Sequence, residues 1–68
     1  MSGEELRALR HAWGMSQAEL ARALGYTVKS IANYENGRAR ITQSLENHLV
    51  TLGKVKELEK ILLGNGKI

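Results

Sequence analysis

The apolar residues recur at three- and four-residue intervals in short runs, and each run stops at a glycine. Leu6, Leu9 and Trp13 form the first run. Leu20, Ala21 and Leu24 form the second, and Ile31 with Tyr34 beside it marks the third. Leu45, Leu49 and Leu52 make a fourth; Val55, Leu58 and Leu62, with Ile61 and Leu63 alongside, make a fifth. This is helical spacing. Gly14, Gly25, Gly37, Gly53 and Gly64 follow the runs in turn, where a left-handed residue commonly ends a helix. Five short helices are therefore predicted. Ser2 with Glu5, and Ser16 with Glu19 between Met15 and Leu20, carry the reciprocal pattern of a capping box. Thr27 can cap the third helix, with Tyr26 and Ile31 as its hydrophobic pair, and Ile41 and Thr42 open the fourth. Alternation with β-branched residues is absent, so the fold class is all-α, one domain over residues 1–68, with Gly64 to Ile68 as a frayed tail.

Helices two and three are joined by little more than Gly25-Tyr26-Thr27. Two short helices on such a turn make a helix-turn-helix, here about residues 16–36, whose second helix can enter a DNA major groove. The charge falls in the same place. Positions 22 to 40 hold Arg22, Lys29, Arg38 and Arg40 against Glu35, whereas the rest of the chain holds six basic and six acidic residues. The whole net charge of +3 thus surrounds one helix, as expected of a nucleic-acid footprint. On that helix Ile31 points to the core with Tyr34 and Glu35 beside it, leaving Lys29, Ala32, Asn33 and Asn36 opposite and Val28 at the leading edge. Lys can donate to guanine, Asn can pair with adenine, and a Val methyl can pack on a thymine methyl. Val28, Lys29 and Asn33 are the candidate base readers. Many short exposed helices carry Lys and Asn, so the weight lies in the coincidence of spacing and charge.

Composition narrows the alternatives. A chain of 68 residues encloses a small core, and cores of that size seldom supply more than about 3–5 kcal/mol without a staple. There is no cysteine for a disulfide, and His11 and His48 alone cannot assemble a structural zinc site, so no metal or other cofactor is expected. Self-association is the support left. Leu49, Leu52, Val55, Leu58, Ile61 and Leu62 are more apolar positions than one small core should absorb, which marks about residues 44–63 as a homodimer region. The longest apolar stretch is three residues, Ile61 to Leu63, so neither a membrane span nor a secretory segment is expected. Enzymatic activity is not expected either. No nucleophile motif accompanies the histidines, and Gly64-Asn65-Gly66-Lys67 lacks the strand and spacing of a phosphate loop.

The stretch from Leu6 to Thr42 resembles the helix-turn-helix of the phage repressor and Cro type, the XRE family. The resemblance is carried by Met15-Ser16-Gln17-Ala18-Glu19-Leu20-Ala21, Leu24-Gly25, Ser30-Ile31 and Glu35-Asn36-Gly37-Arg38. It implies that Gln17 meets a DNA phosphate at the start of helix two, a position where amides already favour an anion. It implies that Val28, Lys29 and Asn33 face base edges, that Thr27 and Ser30 lie near the backbone or groove wall, and that Asn36, Arg38 and Arg40 clamp phosphates. It also implies a structural ion pair between Arg10 and Glu35. Tyr26 departs from the family, which usually has a small aliphatic residue there; its ring either faces DNA or fills a gap. Val28 departs too, since many relatives carry a polar reader at that position.

The function implied is a small homodimeric repressor in the bacterial cytoplasm or nucleoid. It reads a palindromic double-stranded operator with half-sites one helical turn, about 34 Å, apart, and it represses its own gene. Phage and mobile elements carry such proteins, small anti-CRISPR-associated repressors among them. A toxin-binding antitoxin that represses its own operon is the alternative. It ranks lower because only about 15 residues follow Gly53, where a toxin-binding arm normally needs more.

Overall fold

The structure, a computed structural model, describes the backbone of residues 1–65 and the side chains as far as Leu62. The described residues form four helices: α1 over Gly3–Ala12, α2 over Gln17–Leu24, α3 over Val28–Glu35 and α4 over Gln43–Asn65. No strand occurs among the described residues.

The helix starts are set by local side chains. Ser2 and Ser16 each accept from the amide three residues on while Glu5 and Glu19 reach back to the cap amides, closing two capping boxes. Those bonds from Ser2 and Ser16 hold both carboxyls below their ordinary pKa. Thr27 caps α3 through the Ser30 amide, and Thr42 Oγ1 accepts from Leu45 at the start of α4. The helix-turn-helix corner and the end of α3 depend on left-handed glycines. Gly25 and Gly37 have φ of 74° and 81°, which lets the Tyr26 amide bond back to Ala21 O and the Arg38 amide to Asn33 O.

Five helices were expected and four are present among the described residues, because Gly53 does not end one. It lies inside α4, without the positive φ of Gly14, Gly25 and Gly37. Its use is different: a Cβ added at Gly53 would stand 3.3 Å from Trp13 Cζ2, so the missing side chain makes room for the indole. Gly64 likewise continues α4 through Asn65, where a tail was expected; the remainder of that tail, residues 66–68, lies outside the described residues.

Each helix contributes to one core. Leu6, Leu20, Ile31 and Leu45 are fully buried, with Ala21, Ile41 and Leu49 around them and Leu9, Trp13, Met15, Leu24, Tyr26, Tyr34 and Leu52 packed at the edge. The molecule measures 45 × 20 × 20 Å. A 23-residue helix runs about 34 Å, so α4 outgrows the body it helps to close. It is not apolar enough to cross a membrane, nor is any other helix among the described residues.

Candidate nucleic-acid interface

The candidate interface is α3 with the turn before it and the basic loop after it, and a buried polar hub holds α3 in place. Glu35, in its last turn, is 4% exposed. Arg10 of α1 grips it with two parallel bonds, Nε to Oε2 at 2.6 Å and Nη2 to Oε1 at 3.0 Å, and uses Nη1 to donate to Met15 O at 2.8 Å. Gln17 Nε2 donates to Glu35 Oε1 at 3.2 Å, and Arg7 Nε stands 3.5 Å from the same oxygen. Burial by itself would push the Glu35 carboxyl up. The bonds from Arg10 and Gln17, the Arg10 charge and Arg7 outweigh that and hold it below the usual carboxylate range. One carboxylate therefore ties α1 and the start of α2 to the end of α3, and its charge is compensated before any DNA phosphate approaches.

A second tie lies beside the first. The N-terminus of α1 runs so close to the end of α3 that a Cβ on Gly3 would overlap the carbonyl oxygens of Tyr34 and Glu35. The positive end of one helix thus meets the negative end of another at backbone distance. Tyr26 packs inward: its ring lies 6.1 Å from Tyr34 at a tilt of 60° and edge-on to His48 at 6.5 Å. Of the two places open to Tyr26, it takes the gap between α3 and α4.

With Ile31 and Glu35 buried, helical geometry turns Lys29, Asn33 and Asn36 to the other side. Val28 is 46% exposed at the head of α3, Lys29 is exposed and Asn33 half-buried. The Thr27 hydroxyl donates to Ser30 Oγ at 2.9 Å, so those two groups satisfy one another at the start of the helix. Asn36 Oδ1 accepts from the Arg38 amide at 3.0 Å and shapes the loop. Arg38 and Arg40 are exposed, and neither they nor Lys29 form an ion pair among the described residues. The structure therefore groups Thr27, Val28, Lys29 and Ser30 at the head of α3 and Asn33, Asn36 and Arg38 at its end. Gln17 stands apart, half-buried with its amide on Glu35.

The sequence reading missed Arg7, Gly3 and the Gln17 bond. Arg7 was legible in part, since it lies three residues before Arg10 on one face of α1. The six apolar positions assigned to a dimer surface divide. Leu49, 2% exposed, belongs to the monomer core, and Leu52 is half-buried against it, because the first half of α4 closes the body; Val55, Leu58, Ile61 and Leu62 are exposed.

A family model described as a helix-turn-helix domain matches residues 3–55, most of the chain and all of the body described above. The chain belongs to the helix-turn-helix domain family. No curated protein and no solved structure matches it significantly. Membership in the helix-turn-helix family points to DNA binding and transcription regulation.

Proposed function

We propose that the protein is a sequence-specific, non-catalytic repressor that binds a palindromic operator in double-stranded DNA as a homodimer and regulates its own gene, in the manner of small phage or mobile-element repressors. The observation that carries this reading is that the chain's entire net charge surrounds α3, whose outward side chains have no ion-pair partner among the described residues. Val28, Lys29 and Asn33 read base edges. Thr27, Ser30, Asn36, Arg38 and Arg40 contact the backbone, where they fix register and supply salt-dependent affinity. Gln17 joins them by exchanging Glu35 for a phosphate, which Arg7 and Arg10 permit because they keep the carboxylate neutralised. Occupying a promoter palindrome excludes polymerase without an effector domain.

Footprinting on the DNA upstream of the gene tests specificity, symmetry and autoregulation together. A protected site with two half-sites about one turn apart is expected, bound at least about 10³-fold more tightly than random DNA at physiological salt. Equal affinity for operator and random sequence defeats the reading. The exposed apolar residues of distal α4 favour one other reading, an antitoxin whose toxin covers that face. Its signature is a stable complex co-purifying with the product of an adjacent gene.

A further inference from the structure

Apart from Val50, the exposed apolar residues described in α4 lie on its distal half. Val55, Leu58, Ile61 and Leu62 are 45%, 55%, 51% and 63% exposed, although the same helix buries Leu45 and Leu49 completely or nearly so. Nearer the body, α2 and α4 enclose an open groove of about 340 Å³ lined by Ala23, Leu24, His48, Thr51, Leu52 and Val55. At 3.6 residues per turn His48, Thr51, Val55, Leu58 and Leu62 fall in one row, so groove and apolar tip are the two ends of a single stripe. The stripe contains no Lys, Arg, Asp or Glu. It is also nearly self-complementary about Val55, with His48 seven residues before it and Leu62 seven residues after.

We propose that the occupant of this stripe is a second copy of the chain, with the two α4 helices antiparallel across a two-fold axis at Val55. Each tip then lays its Leu62 in the partner's groove beside His48, and Leu58 meets the partner's Leu52. A two-fold contact requires a surface that complements itself, and a stripe with an apolar groove at one end and an apolar tip at the other does so only when the helices run in opposite directions. The spacing supports the same arrangement. Gln43, the first residue of α4, lies twelve residues before Val55, about 18 Å along the helix. The two α4 starts, each preceded by its Arg38–Arg40 loop, then stand about 36 Å apart along α4, close to the roughly 34 Å of one DNA turn.

This inference rests on the homodimer proposed above, and the test separates the two. The chain has no cysteine, so introduced thiols report cleanly. The double variant His48→Cys with Leu62→Cys should be captured as a covalent dimer under mild oxidation, at least tenfold more than either single variant. The two thiols cannot pair within one chain, being about 21 Å apart along one helix. Leu58→Glu should weaken dimerisation at least tenfold by sedimentation and leave the helical melt of a dilute sample unchanged. Efficient capture of Leu62→Cys alone overturns the pairing in favour of parallel helices. A dimer by sedimentation that the double variant does not capture overturns the pairing and leaves the homodimer standing. A chain that stays monomeric at its highest soluble concentration, or that binds a different protein through Leu58, overturns both.

Discussion

The body and the distal half of α4 are built from the same residue types by different rules. In the body every helix start is capped by its own neighbours, and the fully buried residues Leu6, Leu20, Ile31 and Leu45 come one from each helix. Beyond Gly53 the helix continues with Leu58, Ile61 and Leu62 more than half exposed. Periodicity alone cannot tell the two apart, because amphipathic spacing says that a face is apolar without saying what covers it. What separates them is whether the partner surface lies in the same chain.

The largest expected effect tests that division. Leu45→Ala removes a fully buried side chain and should cost about 2–5 kcal/mol, enough to unfold much of a small domain. Leu58→Ala should cost the dilute monomer less than about 0.5 kcal/mol, since surface changes are usually that small. Chemical denaturation of both variants at low concentration checks this, and comparable losses would place Leu58 in the body's core.

The polar hub comes next. Removing one partner of a buried pair leaves a charge uncompensated, so Arg10→Met should destabilise by about 3–5 kcal/mol. Acid should act in the same way. Glu35 is held below its unfolded value of 4.5, so its contribution is complete above that pH and is lost as the pH falls through the lower folded value. The melting temperature should be flat from about pH 7 to 5 and drop below about pH 4.5, and the drop should be shallower in Glu35→Gln. Thermal melts across that range check the sign. Gly3→Ala should cost about 1–3 kcal/mol by overpacking against the Tyr34 and Glu35 carbonyls, although Gly3 sits in an ordinary helical first turn.

Much of the body was legible because its signals are local. The boxes at Ser2–Glu5 and Ser16–Glu19, the Thr27 cap, and the turns at Gly14, Gly25 and Gly37 each involve residues a few positions apart. What escaped depends on residues far apart in the chain. A glycine can serve by adopting positive φ or by lacking a Cβ, and the sequence shows the same letter for both. Gly3 needed its contact with Tyr34, and Gly53 its contact with Trp13, before the second use was visible. Leu49 and Leu58 look alike in the pattern, and only the course of α4 past the body sends one to the core and the other to the surface. Gln17 matched a phosphate-binding position, but the structure turns its amide toward Glu35, a residue the pattern had paired with Arg10 alone.

On DNA the two regions should separate again. Lys29→Ala and Asn33→Ala are each expected to lose about 1–3 kcal/mol on the operator and to relax specificity at one base pair. Arg38→Ala and Arg40→Ala should weaken operator and random DNA alike and reduce the salt slope by about one each. Lys54→Ala and Lys60→Ala, on the distal arm, should leave that slope unchanged. Titrations at several salt concentrations check all six, and a slope that follows Lys60 would extend the interface along α4.

The smallest expected effect lies at the junction. An alanine in a helix interior is favoured over glycine by about 0.8–1 kcal/mol, so Gly53→Ala should stabilise α4 where it leaves the body. Against that gain stands the tight 3.3 Å approach of the new Cβ to Trp13 Cζ2. The indole is half-buried and borders an open groove with Ala12, Lys56, Glu57 and Lys60, so it can shift by a few tenths of an ångström without meeting packed core. The gain should therefore win, with a net stabilisation of up to about 0.5 kcal/mol. A double-mutant cycle with Trp13→Leu isolates the contact: the benefit of Gly53→Ala should grow toward the full propensity difference once the ring is gone. If Gly53→Ala instead destabilises, and Trp13→Leu abolishes that loss, the indole is fixed in place. Gly53 then belongs to the body, and the boundary between the two regions moves outward along α4.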